Sequence, residues 1–451
     1  MRMKRNVQPG SGMRRYLSLL SFSAKPHDNR PVSSPEFPLP QEIVDAIVDQ
    51  LEDDQASLAV AGLISRHWYQ PTRERLFRHI KLGDRQPQSR CRLLLQLLQQ
   101  GPSLASYMKE LTLVEDPAVY SHSAHESWLQ LSSYTVKLLP LLTSVTHLRI
   151  MCHYRLNWSI LPTTLQAELY DMMARPSTTH LSLSKVHEIN FTRIAQCRNL
   201  ENLSLRRVSG PPPSPTGIDV NNFSTLTQKL TGNQGLRFLG VEDCEDAVQA
   251  LLAYARHSGT PFQPAVLEVG TGASEAMASA LKSLFSFCGP TIESYTIRQP
   301  FHDRLSPFVF EFGQLPRLNR FTVSLHAESF HHSFTVLLDQ LSNLAESGTT
   351  WPFAIFTLEL NIERRSVGRD ISRVVDYQAK ANSQVWERLD SILSSPAFPN
   401  LAQVAVFFGV VNSTVSELAW TTAQGRVIRK MPALSRRGLL VLRISRRPPA
   451  S

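Results

Sequence analysis

Long apolar runs are missing from this chain. Nothing among its 451 residues approaches the roughly 18 consecutive apolar residues of a membrane helix, and "AQVAVFFGVV" from Ala402 is of strand length. A soluble protein with no membrane partner is expected. Paired cysteines are missing too. The five present (Cys91, Cys152, Cys197, Cys244, Cys288) are odd in number, scattered, and never spaced C-x-x-C. That spacing offers neither a zinc cage nor a disulfide framework, and buried thiols in a reducing compartment are expected. H-E-x-x-H, G-x-S-x-G and the P-loop lysine motif are all absent. His331-His332 has no second pair nearby, Cys152-His153 is isolated, and His125-Glu126-Ser127 is adjacent only in sequence, whereas a triad needs adjacency in space. No metal, cofactor or catalytic residue is expected from these letters.

What is present is globular: 42% apolar and 19% charged residues, with 29 prolines that punctuate the elements. The net charge of +9 is unevenly placed. Residues 1–30 carry +6 and the segment from Arg426 onward +8, which leaves −5 on the body between them. Basicity confined to the two ends, without interleaved aromatics, argues against a nucleic-acid partner. The leader "MRMKRNVQPGSGMRRYLSLLSFSAKPHDNRP" has the arginines and serines of a mitochondrial transit peptide. Pro9, Gly10 and Gly12 interrupt any amphipathic helix there, so residues 1–36 are expected to be a disordered basic tail.

From Phe37 to Leu82 the pattern is helical in short pieces. In "FPLPQEIVDAIVDQLEDD", Pro40 suits a helix start and Glu42 favours the N-terminal dipole. Ile43, Ile47 and Leu51 recur at i, i+4 and i+8, with Val44 and Val48 widening the stripe. Asp53 and Asp54 offer a cap for a second helix, "QASLAVAGLIS", and Pro71 permits a new one through "TRERLFRHI". Three short helices bury too little surface to be stable alone. Their apolar surplus predicts a partner protein.

After a helical connector (83–107) the rhythm changes. Over residues 108–445 an apolar-x-x-apolar-x-apolar pattern recurs: "MKELTL", "VTHLRI", "TTHLSL", "LENLSL", "LRFLGVEDC", "AVLEVG", "IESYTI", "LNRFTV", "FTLELNI", "LAQVAV" and "LLVLRI". Leu181 and Leu203 stand 22 residues apart, Leu239 and Leu267 28, and Leu358 and Val404 46. Short strands alternating with helices at this spacing predict an irregular leucine-rich-repeat-like α/β solenoid, ending in a tail at 446–451. A proline-rich loop from Ser209 interrupts it, and an amphipathic helix carrying Trp386, Leu389 and Leu393 lies between two late strands. The residues between the inward leucines are expected on the concave face: His180, Ser182 and Ser184; Asn202, Ser204 and Arg206; Thr296 and Arg298; Arg320 and Thr322; Glu359 and Asn361. Of these, Ser182, Ser204, Arg206, Arg298, Arg320 and Glu359 are the candidate substrate contacts.

One stretch offers a competing reading. "AVLEVGTGASEAMASAL" places Glu268, Gly270 and Gly272 between a strand and a helix, with Glu293 further on, as S-adenosylmethionine methyltransferases do in their glycine loop (268–274 here). The strand falls on the repeat rhythm, however, and no matching βαβ half precedes it, so a tight repeat turn is preferred.

The opening helices resemble the F-box. Leu39-Pro40 stands where that family's Leu-Pro pair does, with Glu42 and Ile43 following. Ile47, Leu51 and Leu58 fall on its aliphatic positions, and "ISRHW" (Ile64 to Trp68) resembles its closing segment. Ser65 replaces the usual cysteine, and the stretch between Leu51 and Leu58 is acidic rather than apolar. "WERLDSILSSPAFPNLAQVAV" and "MPALSRRGLLVLRI" resemble the F-box proteins of mushroom-forming fungi. The resemblance implies a three-helix F-box (37–82) that docks on a Skp-type adaptor, and through it a cullin, by Leu39, Pro40, Glu42, Ile43, Ile47, Leu51, Leu58, Ile64 and Trp68. It implies a non-catalytic substrate receptor of a ubiquitin ligase in the cytoplasm and/or nucleus, without cofactor. A repeat scaffold unconnected with ubiquitin stands as a further alternative.

Overall fold

A computed structural model describes residues 39–52, 54–83, 87–115, 127–211, 235–258, 262–270, 274–298, 312–326, 330–348, 350–362, 383–411 and 417–447. The basic leader, most of the proline-rich loop, the 271–273 part of the glycine loop and the last four residues lie outside them.

The chain opens with α1 (Gln41–Gln50), α2 (Gln55–Ala61) and α3 (Arg66–Arg78). Asp54 starts α2: its Oδ1 accepts from the Ala56 and Ser57 N–H groups, both at 3.1 Å. The Ser57 hydroxyl and N–H, bonded to that carboxylate, hold its pKa below the ordinary value. Pro71 does not begin a helix, as its letter had predicted; α3 runs straight through it. Thr72, fully buried, donates its hydroxyl to the Trp68 and Tyr69 carbonyls at 2.7 and 3.1 Å beside the site of the missing proline N–H.

Helix α3 leads directly into β1 (His79–Leu82), a strand that the helical reading of "TRERLFRHIKL" missed. Its four residues are too few to show an alternation. Eleven strands follow, all at the predicted places: β2 (Glu110–Glu115), β3 (His147–Asn157), β4 (His180–His187), β5 (Asn202–Arg206), β6 (Phe238–Glu242), β7 (Val266–Gly270), β8 (Ser294–Arg298), β9 (Arg320–His326), β10 (Ile355–Ile362), β11 (Gln403–Val411) and β12 (Leu440–Arg447). They form one twelve-stranded sheet in strict chain order, and every neighbouring pair is parallel. The fold is α/β.

The register explains the core. Leu148, Leu181, Leu203, Leu239, Leu267, Tyr295, Phe321, Phe356 and Val404 lie side by side across the strands, and Ile150, Leu183, Leu205, Val241, Val269, Ile297, Val323, Leu358 and Val406 form a second such row. All are buried. Residues two apart on a strand share a face, so both rows point to one side. There they meet the helices between strands, including α4 (Pro87–Gln100), α5 (Trp128–Leu131), α6 (Ser133–Leu138), α7 (Thr163–Ala174), α8 (Phe191–Ala195), α9 (Glu245–Ser258), α10 (Glu275–Cys288), α11 (Phe330–Glu346) and α12 (Ser383–Leu393), whose buried residues belong to the same core. Trp386, Leu389 and Leu393 of α12 are buried as their spacing predicted. The five cysteines are free and buried, and burial pushes Cys152, Cys197, Cys244 and Cys288 up to about 12. They are unreactive core residues at neutral pH. Among the described residues no helix is long and apolar enough to cross a membrane, and no group of three or more His, Cys, Asp or Glu is placed to hold a metal ion.

The three-helix unit has a small core of its own, Val44, Val48 and Leu58, with Leu51, Trp68 and Leu76 against it. Leu76 also packs on the main core, so α3 belongs to both.

Candidate functional site

Helix α1 does not bury its stripe as one face. At about 100° per residue, neighbours in the stripe point apart. Val44 and Val48 turn inward at 1% exposure, whereas Ile43 and Ile47 keep 48% and 38%. Gln41, Asp45 and Asp49 take a third side and line a polar groove of about 650 Å³ against His67, Gln70 and Glu74 of α3. Leu39, Pro40, Glu42 and Ile64 are also exposed and Leu51 is half-buried. Two expected contact residues are placed otherwise. Leu58 has no exposed surface, because the small core requires its side chain, and Trp68 is half-buried against the same core. The sequence reading missed Val60, Leu63 and Tyr69, which are 63%, 59% and 47% exposed. Seven large exposed apolar side chains thus lie within residues 39–69, against five in all the other described residues. Gly62 lets α2 approach α3; a Cβ there would stand 2.7 Å from the Thr72 hydroxyl.

The sheet face away from the helices is polar over much of its length, with apolar residues such as Met151, Phe238 and Phe407 interspersed. Ser182 and Ser204 are register partners on β4 and β5, as are Ser184 and Arg206. Arg298, Arg320 and Glu359 lie on β8, β9 and β10. The six predicted substrate residues therefore share a sheet but not one place: strands about 4.8 Å apart separate β4 from β10 by roughly 30 Å. Arg206 and Arg298 are engaged within the sheet, with Glu242 at 2.8 Å and Glu268 at 2.9 Å. Thr322, with Ser324 and Thr357, is buried and offers little surface, and Asn361 donates to the Ser324 hydroxyl at 2.7 Å.

These contacts also engage Glu268 and Gly270 of the glycine loop, whose Gly272 lies outside the described residues. Gly270 lies under the Glu242 side chain, and a Cβ added there would meet Glu242 Cγ at 2.5 Å. Glu268 is the partner of Arg298. Both residues have packing duties in the sheet that need no ligand.

On β3 and β4, His147 and His180 stack with ring centroids 3.8 Å apart. The Thr146 hydroxyl donates to the Lys109 carbonyl at 3.1 Å, so it accepts from His147 Nδ1–H at 2.8 Å. His180 Nε2 accepts from the Asn202 amide at 2.7 Å, which places its hydrogen on Nδ1, toward the Thr179 hydroxyl. His180 is thereby held neutral; desolvation lowers both pKa values, and the repulsion that two protonated rings would feel at this distance adds to the effect on His147.

A second cleft, of about 520 Å³, opens at the carboxyl ends of β3 to β6. The backbone enters the left-handed region at equivalent places on three strands, within β4 at Lys185 (φ 57°) and just after β5 and β6 at Arg207 (φ 53°) and Asp243 (φ 47°), each following one of the register partners Ser184, Arg206 and Glu242. For residues with a Cβ this backbone costs roughly 1–2 kcal/mol. All three side chains line the cleft. The sequence signal is a charged residue two places after the second inward aliphatic of each strand (Leu183, Leu205 and Val241). Compared with models of known protein families and with curated proteins, the chain matches none.

Proposed function

We propose that this chain is a non-catalytic substrate receptor of a Skp–cullin–F-box type ubiquitin ligase. Its three N-terminal helices act as an F-box seated on a Skp-type adaptor, and its body acts as an irregular leucine-rich-repeat-like solenoid that holds a protein substrate. The observation that carries this reading is the concentration of exposed apolar side chains on a unit with a core of only three fully buried residues. Such a surface is unfavourable in water and is suited to burial against another chain. Leu39, Ile43, Ile47 and Ile64, four of the positions shared with the F-box, are among them. The strict chain order of the parallel strands, with two buried apolar rows and one largely polar face, fits the solenoid and leaves a long surface for a partner.

Co-expression with the adaptor tests it. Stable co-purification is expected, with loss of binding when Leu39→Ala is combined with Pro40→Ala. Failure of the wild-type chain to co-purify, or intact binding by the double variant, overturns the proposal.

A further inference from the structure

In a parallel sheet all carboxyl ends share one edge, so the cleft there is built by successive strands rather than by one loop. Its charges are sorted. At the β3–β4 end stand Arg155 and Lys185, neither within 4.0 Å of a carboxylate among the described residues. The Lys185 ammonium donates to the His153 carbonyl at 2.7 Å, which fixes the amine and leaves its other hydrogens for an incoming acceptor. In the middle, Arg207 is neutralised by Asp243 at 3.2 Å and Glu242 at 3.8 Å. At the far end Glu245 and Asp246 open α9. Beside the cationic end His187 donates to or accepts from the Ser209 hydroxyl through Nδ1 at 2.7 Å, while its Nε2 is shielded from solvent and has no hydrogen-bond partner.

We propose that this cleft binds an extended peptide segment carrying an anionic side chain, carboxylate or phosphoryl, and a cationic side chain about three to four residues apart. The anion lies against Arg155 and Lys185, and the cation against Glu245 and Asp246. The spacing follows from two to three strand separations of about 4.8 Å, bridged by a chain that rises about 3.3 Å per residue. Lys185, Arg207 and Asp243, all with left-handed backbone, line the cleft side by side at the strand ends. The naming of a peptide as occupant rests on the receptor reading above; the charge pattern does not.

Fluorescence anisotropy with the purified full chain and short labelled glycine–serine peptides tests it. The probes carry glutamate and lysine at that spacing, either charge alone, neither, or phosphoserine in place of glutamate. The two-charge peptides are expected to bind about tenfold or more tightly than the single-charge ones and to weaken with salt. A preference for phosphoserine over glutamate assigns the anion as phosphoryl, and the reverse assigns carboxylate. Arg155→Glu combined with Lys185→Glu, two surface changes, is expected to lose this binding and to gain affinity for a peptide with lysine at both places. Equal binding of all peptides, binding of none, or no change in the double variant overturns the inference. Adaptor co-purification is unaffected in every arm, so failure here is distinguishable from failure of the receptor reading.

Discussion

The division of α1 into an inward and an outward pair gives a sharp test. Ile43 and Ile47 retain 48% and 38% exposure, while Val48, one residue further along, retains 1%. Burying an isoleucine completely stabilises by about 1.5–3 kcal/mol, so the surface still exposed is worth about 1 kcal/mol per residue on docking. Ile43→Ala with Ile47→Ala should therefore weaken adaptor binding by about 2 kcal/mol, about thirtyfold in Kd. The same change should leave the fold's stability within about 0.5 kcal/mol of the wild type, since alanine is the better helix former. Val48→Ala should do the reverse. It removes buried methyl groups from a three-residue core and leaves a cavity, at a cost of about 2 kcal/mol. Hydrogen exchange of the amides of α1 to α3 reads local stability, and titration calorimetry with the adaptor reads binding. If the isoleucine pair destabilises the helices as much as Val48→Ala does, the outward face is part of the internal packing. If the pair leaves binding unchanged, docking uses another surface.

Two further outcomes follow from the sheet. His147, His180 and His187 all have folded pKa values below the ordinary histidine value, so below about pH 6.5 the unfolded chain binds more protons and stability falls as pH is lowered. Thermal melts between neutral pH and pH 5 should show this slope, and His147→Gln with His180→Gln should reduce it; an unchanged slope would place the protons elsewhere. Gly270→Ala should destabilise by about 1–3 kcal/mol, because the Glu242 atoms it meets include Cβ, which cannot swing away. Combining it with Glu242→Gly, which removes both the Cβ and the Cγ, should cost less than the sum of the two single changes, and strict additivity would refute the contact.

Much of the fold was legible because two periodicities were strong. Alternation at two residues marked eleven strands, and each sequence pattern put its inward pair in the right register, so that Leu181 lies beside Leu203 and Leu239 beside Leu267. The short β1 was not legible: its pairing with β2 is a tertiary fact, made by Lys109 and the following strand and not by the letters "HIKL". The three N-terminal helices were legible as helices but not as faces. The stripe of α1 is wider than two short neighbours can cover, and only packing decides which half is left outside. Leu58 shows the same limit, since an aliphatic at a family position can serve the unit's own core. The strand-end cleft was illegible for a different reason. It depends on charged residues in an uncommon backbone region, at equivalent positions on three strands, and no local propensity favours Lys or Arg there.

The junction between the two parts bears on the proposed function. Helix α3 passes into β1 without a linker, and the carbonyl of Arg78, its last residue, accepts from the Lys109 N–H at 3.0 Å. The next residue, His79, stands 2.9 Å from Glu110 on β2 and 3.7 Å from Glu52 after α1. Leu76 packs on both cores. A partner docked on the helices, as proposed, would be held at a fixed orientation to the strand-end cleft, as a device that presents one protein to another requires, whereas a simple tether needs only proximity. Inserting Gly-Ser-Gly-Ser between Arg78 and His79 separates these possibilities. Adaptor co-purification and peptide binding should both survive, because each surface is intact, while reconstituted ubiquitin transfer to a bound substrate should fall. Undiminished transfer would show that the rigid junction serves stability alone, and loss of either binding event would show that the two parts fold as one unit.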